Sequence, residues 1–203
     1  MTPPDASTRD RLLEAALALF ASQGYSATSV ADIQQASGLS PGSGALYKHF
    51  PSKKALLQEA TRRHVQQVDA MRDEYERTHA PDTKSALRQG AEQIWAIIDN
   101  NSRLLRVMLR EPEALDDMID ELWSAVAANA YQRTTRALGA AKDAGISQVE
   151  DPEATSTVLV AALAYLPILQ LLIQRTPGKL DTDRFREAWV RLAEGAFTGA
   201  PPT

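Results

Sequence analysis

The sequence predicts an all-α protein in which a small N-terminal three-helix module precedes a larger helical domain, about nine helices in total. Apolar residues recur at spacings of three and four along most of the chain, as on the buried face of a helix. Most glycine and proline residues fall between these periodic segments, where helices are expected to stop. No segment shows the alternation of a strand, and no internal repeat is visible.

The first helix is predicted to begin at Thr8, which can cap it, and to end at Gly24. Its inward stripe consists of Leu13, Ala16, Leu17 and Phe20. Tyr25 follows the stop and is expected to pack back onto this helix.

A second, short helix follows. Ser29, with Asp32 three residues later, forms the capping-box pattern that starts a helix. Its apolar face consists of Val30, Ile33 and Ala36. Gly38 then breaks the helix, and Leu39 places an apolar side chain in the turn.

A third helix ends in the segment 46–50. Leu46 and Phe50 lie four residues apart and can face inward together. That leaves Tyr47, Lys48 and His49 outward. Two short helices joined by a glycine-bearing turn predict a helix-turn-helix, whose second helix enters the major groove of DNA.

The same residues resemble the DNA-binding module of TetR-type transcriptional repressors, over about Thr8 to Leu57. The matching positions are Thr28-Ser29-Val30, Asp32-Ile33, Ala36, Gly38-Leu39-Ser40, Gly44-Ala45-Leu46-Tyr47, His49-Phe50 and Ser52-Lys53. The resemblance implies a DNA-binding domain over 8–57 and an effector-binding and dimerisation domain over 58–203.

This module departs from the family at the link Pro41-Gly42-Ser43, where the family usually has one residue. Either Ser40 caps the recognition helix with Pro41 first, or the turn is longer and Ser43 is the cap with Gly44 first. We favour the longer turn, because Gly42 and Gly44 are poor interior helix residues.

The resemblance also implies how the module meets DNA. Tyr47, His49, Thr28 and Lys53 are expected at phosphates or sugars, and Lys48, with the residues 43–45, at base edges. The full predicted DNA face is Thr28, Ser29, Ser43, Gly44, Ala45, Tyr47, Lys48, His49 and Lys53.

Charge and composition limit the other possibilities. The chain of 203 residues has a net charge of −4 and no cysteine. Residues 1–56 carry five basic and four acidic residues, so we expect the acidic remainder to be repelled by DNA. The N-terminus lacks an apolar signal-peptide core, and the longest apolar run is 12 residues, Val158 to Leu169. We therefore expect a soluble, cytoplasmic protein without a membrane span.

A helix over 53–79 is predicted next, and the resemblance implies that it joins the two domains. The second domain is predicted to continue with helices over 81–101, 102–110, 114–144, 155–174 and 181–197. The helix over 155–174 is apolar nearly all round, so we expect it to be buried on most sides, with a kink at Pro167. The resemblance implies that the last two helices pair with their copies in a homodimer. The predicted interface residues are Leu169, Ile173, Phe185, Trp189 and Leu192.

The size of this domain predicts an apolar cavity for a small hydrophobic effector. The predicted lining is Trp95, Leu105, Met108, Trp123, Tyr131 and Leu166. His64 and His79 lack a metal-ligand spacing and are expected at the surface, and no cofactor is expected.

One alternative from a different class rests on Asp116, Asp117 and Asp120. This DDxxD pattern is the magnesium-diphosphate motif of all-α terpenoid enzymes. Such enzymes have a second acidic motif, which we do not find, and acidic residues near a helix start are favoured by the helix dipole. The sequence therefore favours a homodimeric, DNA-binding repressor, released from a palindromic operator by its effector, over an enzyme.

Overall fold

The structure is a computed structural model in which residues 7–77, 80–178 and 180–199 are described. The side chains at 72, 74, 76, 77, 116, 117, 125 and 126 are outside this description. His79, expected at the surface, lies outside it as well.

Nine α-helices and no strand occur in the described residues, so the predicted all-α fold class is confirmed. The α-helices are α1 Thr8–Gln23, α2 Val30–Ala36, α3 Lys53–Arg77, α4 Thr83–Asn100, α5 Ser102–Arg110, α6 Ile119–Trp123, α7 Asn129–Asp143, α8 Pro152–Ile173 and α9 Thr182–Thr198. Two 3-10 segments, Leu46–Lys48 and Pro112–Met118, and one π-helical turn, Ser124–Ala128, lie between them.

Side-chain caps explain most helix starts. The capping box of Ser29 and Asp32 is confirmed at α2. At α1 the cap is Ser7 rather than Thr8, because the Ser7 hydroxyl accepts from the Asp10 backbone N–H. Asp151 caps α8 in the same way, so α8 begins at Pro152, three residues earlier than predicted.

The predicted helix over 114–144 is only partly regular. Pro112 stops α5, and the chain then passes through a 3-10 segment, α6, the π-helical turn and α7 before it ends at Ala144. A π-helical turn inserts an extra residue into the helical repeat, which the 3.6-residue periodicity of the sequence does not reveal.

The chain divides into two compact units. One contains the residues up to Gln67 together with Asn101–Leu122, and the other contains Val68–Asn100 and the residues from Trp123 onward. The predicted DNA-binding domain over 8–57 lies wholly within the first unit. The first unit also includes α5, which the sequence assigned to the second domain.

The first unit has its own core. α1 buries the predicted stripe of Leu13, Ala16, Leu17 and Phe20, together with Leu12. The Tyr25 ring packs on Phe20 with ring centres 5.1 Å apart, which confirms the predicted return of the chain onto α1.

The second unit packs α4, α7, α8 and α9 around a core that includes Trp189, Leu138 and Leu163. The Trp189 indole N–H donates to the Leu159 carbonyl at 2.8 Å, and Phe185 stacks on Trp95 with ring centres 6.1 Å apart. Trp189 is thus buried within its own chain and leaves little surface for a partner subunit, whereas Phe185 is half-buried; the interface itself stays a prediction.

The expected burial of α8 on most sides is also wrong for the single chain. Val158, Tyr165, Leu172 and Ile173 are exposed, while Leu169 is half-buried. On α9, Leu192 is 59% exposed. By length and composition α8 is apolar enough to cross a membrane, although an exposed face that binds a protein partner gives the same pattern.

Candidate nucleic-acid interface

The segment 46–50 presents three consecutive side chains outward. Leu46 is fully buried and Phe50 is 3% exposed, so the two anchor the segment as predicted. Tyr47 is 59% exposed, and Lys48 and His49 are exposed beside it. These three side chains, which we call the recognition face, offer hydroxyl, ammonium and imidazole groups to a polyanion.

The recognition helix itself differs from the prediction. Gly42 and Gly44 have φ of 76° and 67°, so neither is helical. The longer of the two predicted turns is therefore present, but Ser43 does not cap a helix at Gly44. Regular structure begins only after Ala45, as a 3-10 turn over Leu46–Lys48.

Gln34 holds this turn in place. Its side chain is buried, and its amide donates to the Ser43 hydroxyl at 2.8 Å and to the Ser40 carbonyl at 3.3 Å. Ser43 remains exposed, while Gly44 and Ala45 are half-buried. Sequence reasoning missed Gln34, because a glutamine inside a short helix has no distinctive spacing.

Ser29 and Thr28 have different surroundings. Ser29 is exposed, and its hydrogen bonds to Asp32 hold the pKa of that carboxyl below its ordinary value. Thr28 is 1% exposed, and its hydroxyl donates to the Gly24 carbonyl at 2.7 Å. The structure therefore does not support a phosphate contact through the Thr28 side chain.

Lys53 is likewise engaged within the protein. Its ammonium donates to the carbonyls of Tyr25 and Thr28, both at 2.8 Å, and lies 4.2 Å from the centre of the Tyr25 ring. Burial lowers the pKa of Lys53, and the nearby Glu111 carboxylate opposes that shift. The Lys53 ammonium thus contacts the loop 24–28, and its expected phosphate contact stays untested.

Glu111 holds the same loop from the other side. Its carboxylate accepts from the backbone N–H groups of Tyr25 and Ser26 at 2.7 and 2.9 Å, and from the Ser26 hydroxyl at 2.6 Å. These bonds, those from Ser26 first, keep the pKa of Glu111 below its ordinary value. Lys53 and Glu111 thus hold the loop 24–28 in place just before α2.

Comparison with known proteins agrees with this geometry. Residues 12–60 match the family described as bacterial regulatory proteins, tetR family. The HTH-type transcriptional repressor KstR2 of Mycolicibacterium smegmatis is 46% identical over 57 residues, which are 28% of this chain and 27% of KstR2. The HTH-type transcriptional regulator AcrR of Shigella flexneri is 35% identical over 82 residues, 40% of this chain and 37% of AcrR. The matches thus span well under half of the relatives' lengths.

Beyond that stretch the likeness lies in the fold. The crystal structure of the TetR family transcriptional regulator PfmR from Thermus thermophilus is 26% identical, with a TM-score of 0.63, and the match covers 93% of this chain and 97% of PfmR. Residues 12–60 thus match the tetR family, and the chain shares the fold of a TetR family regulator. The matched residues 12–60 include the recognition face, so the recognised motif and the exposed surface coincide.

The second unit contains a cavity of about 390 Å³. Its described lining comes from α3, α4, α7, α8 and α9: Tyr75, Thr83, Ala86, Leu87, Gly90, Gln93, Ile94, Ala130, Arg133, Thr134, Ala137, Leu159, Val160, Trp189 and Phe197. We call it the α4–α9 cavity.

None of the six residues predicted to line an effector cavity belongs to the described lining of the α4–α9 cavity, and their role in effector binding stays a prediction. Leu105 and Met108 lie on α5, in the first unit. Trp123 is 52% exposed and stacks on Tyr131 with ring centres 6.2 Å apart. Leu166 is 1% exposed. The remaining residue, Trp95, donates its indole N–H to the Leu163 carbonyl at 3.0 Å.

The aspartate pattern finds no support as a metal site among the described residues. The side chains of Asp116 and Asp117 are outside the described residues, and Asp120 is exposed in the first turn of α6. The described side chains contain no group of three or more acidic, histidine or cysteine residues placed to hold a metal ion.

Proposed function

We propose that the protein is a cytoplasmic repressor that binds a palindromic operator as a homodimer and is released by a small, mainly hydrophobic effector. The observation that carries the proposal is the recognition face: Tyr47, Lys48 and His49 point outward from a segment anchored by Leu46 and Phe50. In a helix-turn-helix this segment meets the major groove. The name of KstR2, a transcriptional repressor, favours repression over activation.

The dimer is supported by the apolar residues that a single chain leaves exposed on α8 and α9. Val158, Tyr165 and Ile173 on α8 and Leu192 on α9 are each more than half exposed. Large apolar side chains grouped on exposed helix faces mark protein interaction sites. In a two-fold dimer each subunit would present one recognition face. The operator should then contain two half-sites about one helical turn apart, or a multiple of that.

Release requires the effector to favour one state of the dimer. Shifting operator occupancy from 99:1 to 1:99 takes about 5.5 kcal/mol of differential affinity, which two sites per dimer can share. The α4–α9 cavity is the candidate site. α3 contributes Tyr75 to its lining and begins at Lys53, which holds the loop before α2. We propose that an occupied cavity tilts α3 and spoils the half-site spacing.

The test is a gel shift and footprint on the DNA upstream of the protein's own gene. We expect a protected palindrome, and a Tyr47→Ala variant that keeps its fold but binds this DNA at least tenfold more weakly. Gln132→Ala, an exposed change on α7, is the matched control and should bind normally. Equal affinities of the Tyr47→Ala and control proteins would refute the assigned face.

A further inference from the structure

One charged side chain stands in the described lining of the α4–α9 cavity. Arg133 on α7 is half-buried there, and every other described lining residue is apolar or neutral at pH 7. No aspartate or glutamate belongs to that lining. Across the described side chains, Arg133 takes part in no ion pair. A cationic group in an apolar cavity, paired with no described carboxylate, favours an anionic ligand.

The guanidinium is held in a defined orientation. It lies over the Tyr75 ring, 4.5 Å from the ring centre, and donates one long hydrogen bond of 3.4 Å to the Gln93 side-chain oxygen. The Gln93 amide nitrogen donates to the Met71 carbonyl at 3.3 Å, which points its oxygen toward Arg133. A guanidinium has five N–H donors, so these contacts leave most of the planar fork for a ligand.

The rest of the cavity suits an apolar group. Leu87, Ile94, Leu159, Val160 and Phe197 contribute branched or aromatic surface. The volume of about 390 Å³ lies at the lower end of the ~300–1,000 Å³ typical of small-molecule sites, so the occupant must be small. A ligand with an anionic group for Arg133 and hydrocarbon for the rest of the lining is an amphipathic acid.

We propose that the α4–α9 cavity binds a small carboxylic acid with an apolar tail, whose carboxylate pairs with the Arg133 guanidinium. Arginine meets carboxylates through two parallel N–H···O bonds, and such charge-assisted pairs are stronger than neutral hydrogen bonds. The tail replaces water against the apolar lining. The inference rests on the proposed effector release only for its biological meaning, since binding can be measured without DNA.

The test uses octanoate and octanol, which share a hydrocarbon chain and differ in charge. Isothermal titration calorimetry on the protein should show octanoate binding about tenfold more tightly than octanol, a difference of about 1.4 kcal/mol. Arg133→Gln should weaken octanoate about tenfold and leave octanol unchanged. Arg136→Gln is the matched control, because it removes the same charge from an exposed position on α7 outside the cavity lining; both affinities should remain.

Retained octanol affinity shows that the Arg133→Gln protein is folded with its cavity intact. If that variant does not fold, Arg133→Lys takes its place. Lysine keeps the positive charge but lacks the paired N–H donors of the guanidinium, so this variant should weaken octanoate binding by a smaller factor. Absent octanoate binding, equal octanoate and octanol affinities, or a loss equal in the Arg133 and Arg136 variants would overturn the proposal.

A gel shift with octanoate then tests the proposed release separately. Arg133-dependent binding without displacement of the operator DNA would leave the carboxylate site standing and refute release through this cavity. Displacement of the DNA by octanoate in the Arg133→Gln protein at unchanged concentration would overturn the carboxylate site, while the repressor function would remain.

Discussion

Replacing Lys53 by methionine should destabilise the fold without changing the number of phosphates that the protein contacts. Methionine keeps much of the apolar stem but removes two hydrogen bonds of 2.8 Å to the loop 24–28 and the contact with the Tyr25 ring. A hydrogen bond to a charged group contributes about 1.5–3 kcal/mol, and a cation–π contact about 0.5–1 kcal/mol at exposed sites. Because Lys53 is only half-buried and water can reach the freed carbonyls, we expect a total loss of about 2 kcal/mol.

Urea unfolding gives the stability, and operator affinity between about 50 and 200 mM salt gives the log–log slope. Lys48→Met is the matched control, since it removes an exposed lysine from the recognition face. Although Lys48 is expected at base edges, its charge also displaces counterions from the DNA, so the control should keep its stability and flatten the slope by up to about 0.9. Lys53→Met should instead lower the stability and leave the slope unchanged. Normal stability with a flattened slope for Lys53→Met would refute our assignment of this lysine to the loop.

Three further predictions concern buried or fixed groups. The hydrogen bonds from Ser26 lower the pKa of Glu111 on folding, so this carboxylate stabilises the fold above its unfolded pKa, and the contribution is lost as pH falls through the folded pKa. Glu111→Gln should therefore destabilise the protein at neutral pH and reduce the loss of stability below about pH 5, measured by urea titration; an unchanged acid dependence would contradict this. Trp189→Glu should prevent folding, whereas Leu192→Glu should give a folded monomer by circular dichroism and light scattering, and a folded dimer of the first variant would disprove the assignment. Gln34→Ala should cost about 1 kcal/mol and weaken operator binding by loosening the turn, and unchanged affinity in a gel shift would show that the turn is held otherwise.

Local chemistry made much of the DNA-binding module predictable. The capping box at Ser29, the stop at Gly24 and the inward pair of Leu46 and Phe50 each depend on residues at most five positions apart. Such signals act before tertiary packing exists, so a single sequence contains them. The exposure of Tyr47 followed from the same local geometry.

Contacts between residues far apart in the sequence could not be predicted from such local signals. Glu111 is 85 residues from Ser26, and no local pattern shows that a carboxylate after α5 will meet the loop before α2. Trp189 and Leu192 both belong to the apolar pattern of α9, yet one is 8% exposed and the other 59%, because neighbouring helices decide which part of the stripe is covered. The described lining of the α4–α9 cavity comes from five helices, so its residues could not be read from the periodicity of any one helix.

The turn before the recognition face contains two glycines, Gly42 and Gly44, whose backbone conformation suits a D-amino acid better than an L-amino acid. No described atom lies within 4 Å of an ideal Cβ at Gly42 or Gly44, so both positions have room for a methyl group. Their positive φ angles nonetheless disfavour an L-residue by about 1–2 kcal/mol. D-alanine has the same volume and the opposite preference. A chain assembled by chemical ligation with D-alanine at either position should therefore fold at least as stably as the natural one, because its unfolded state has fewer conformations to lose.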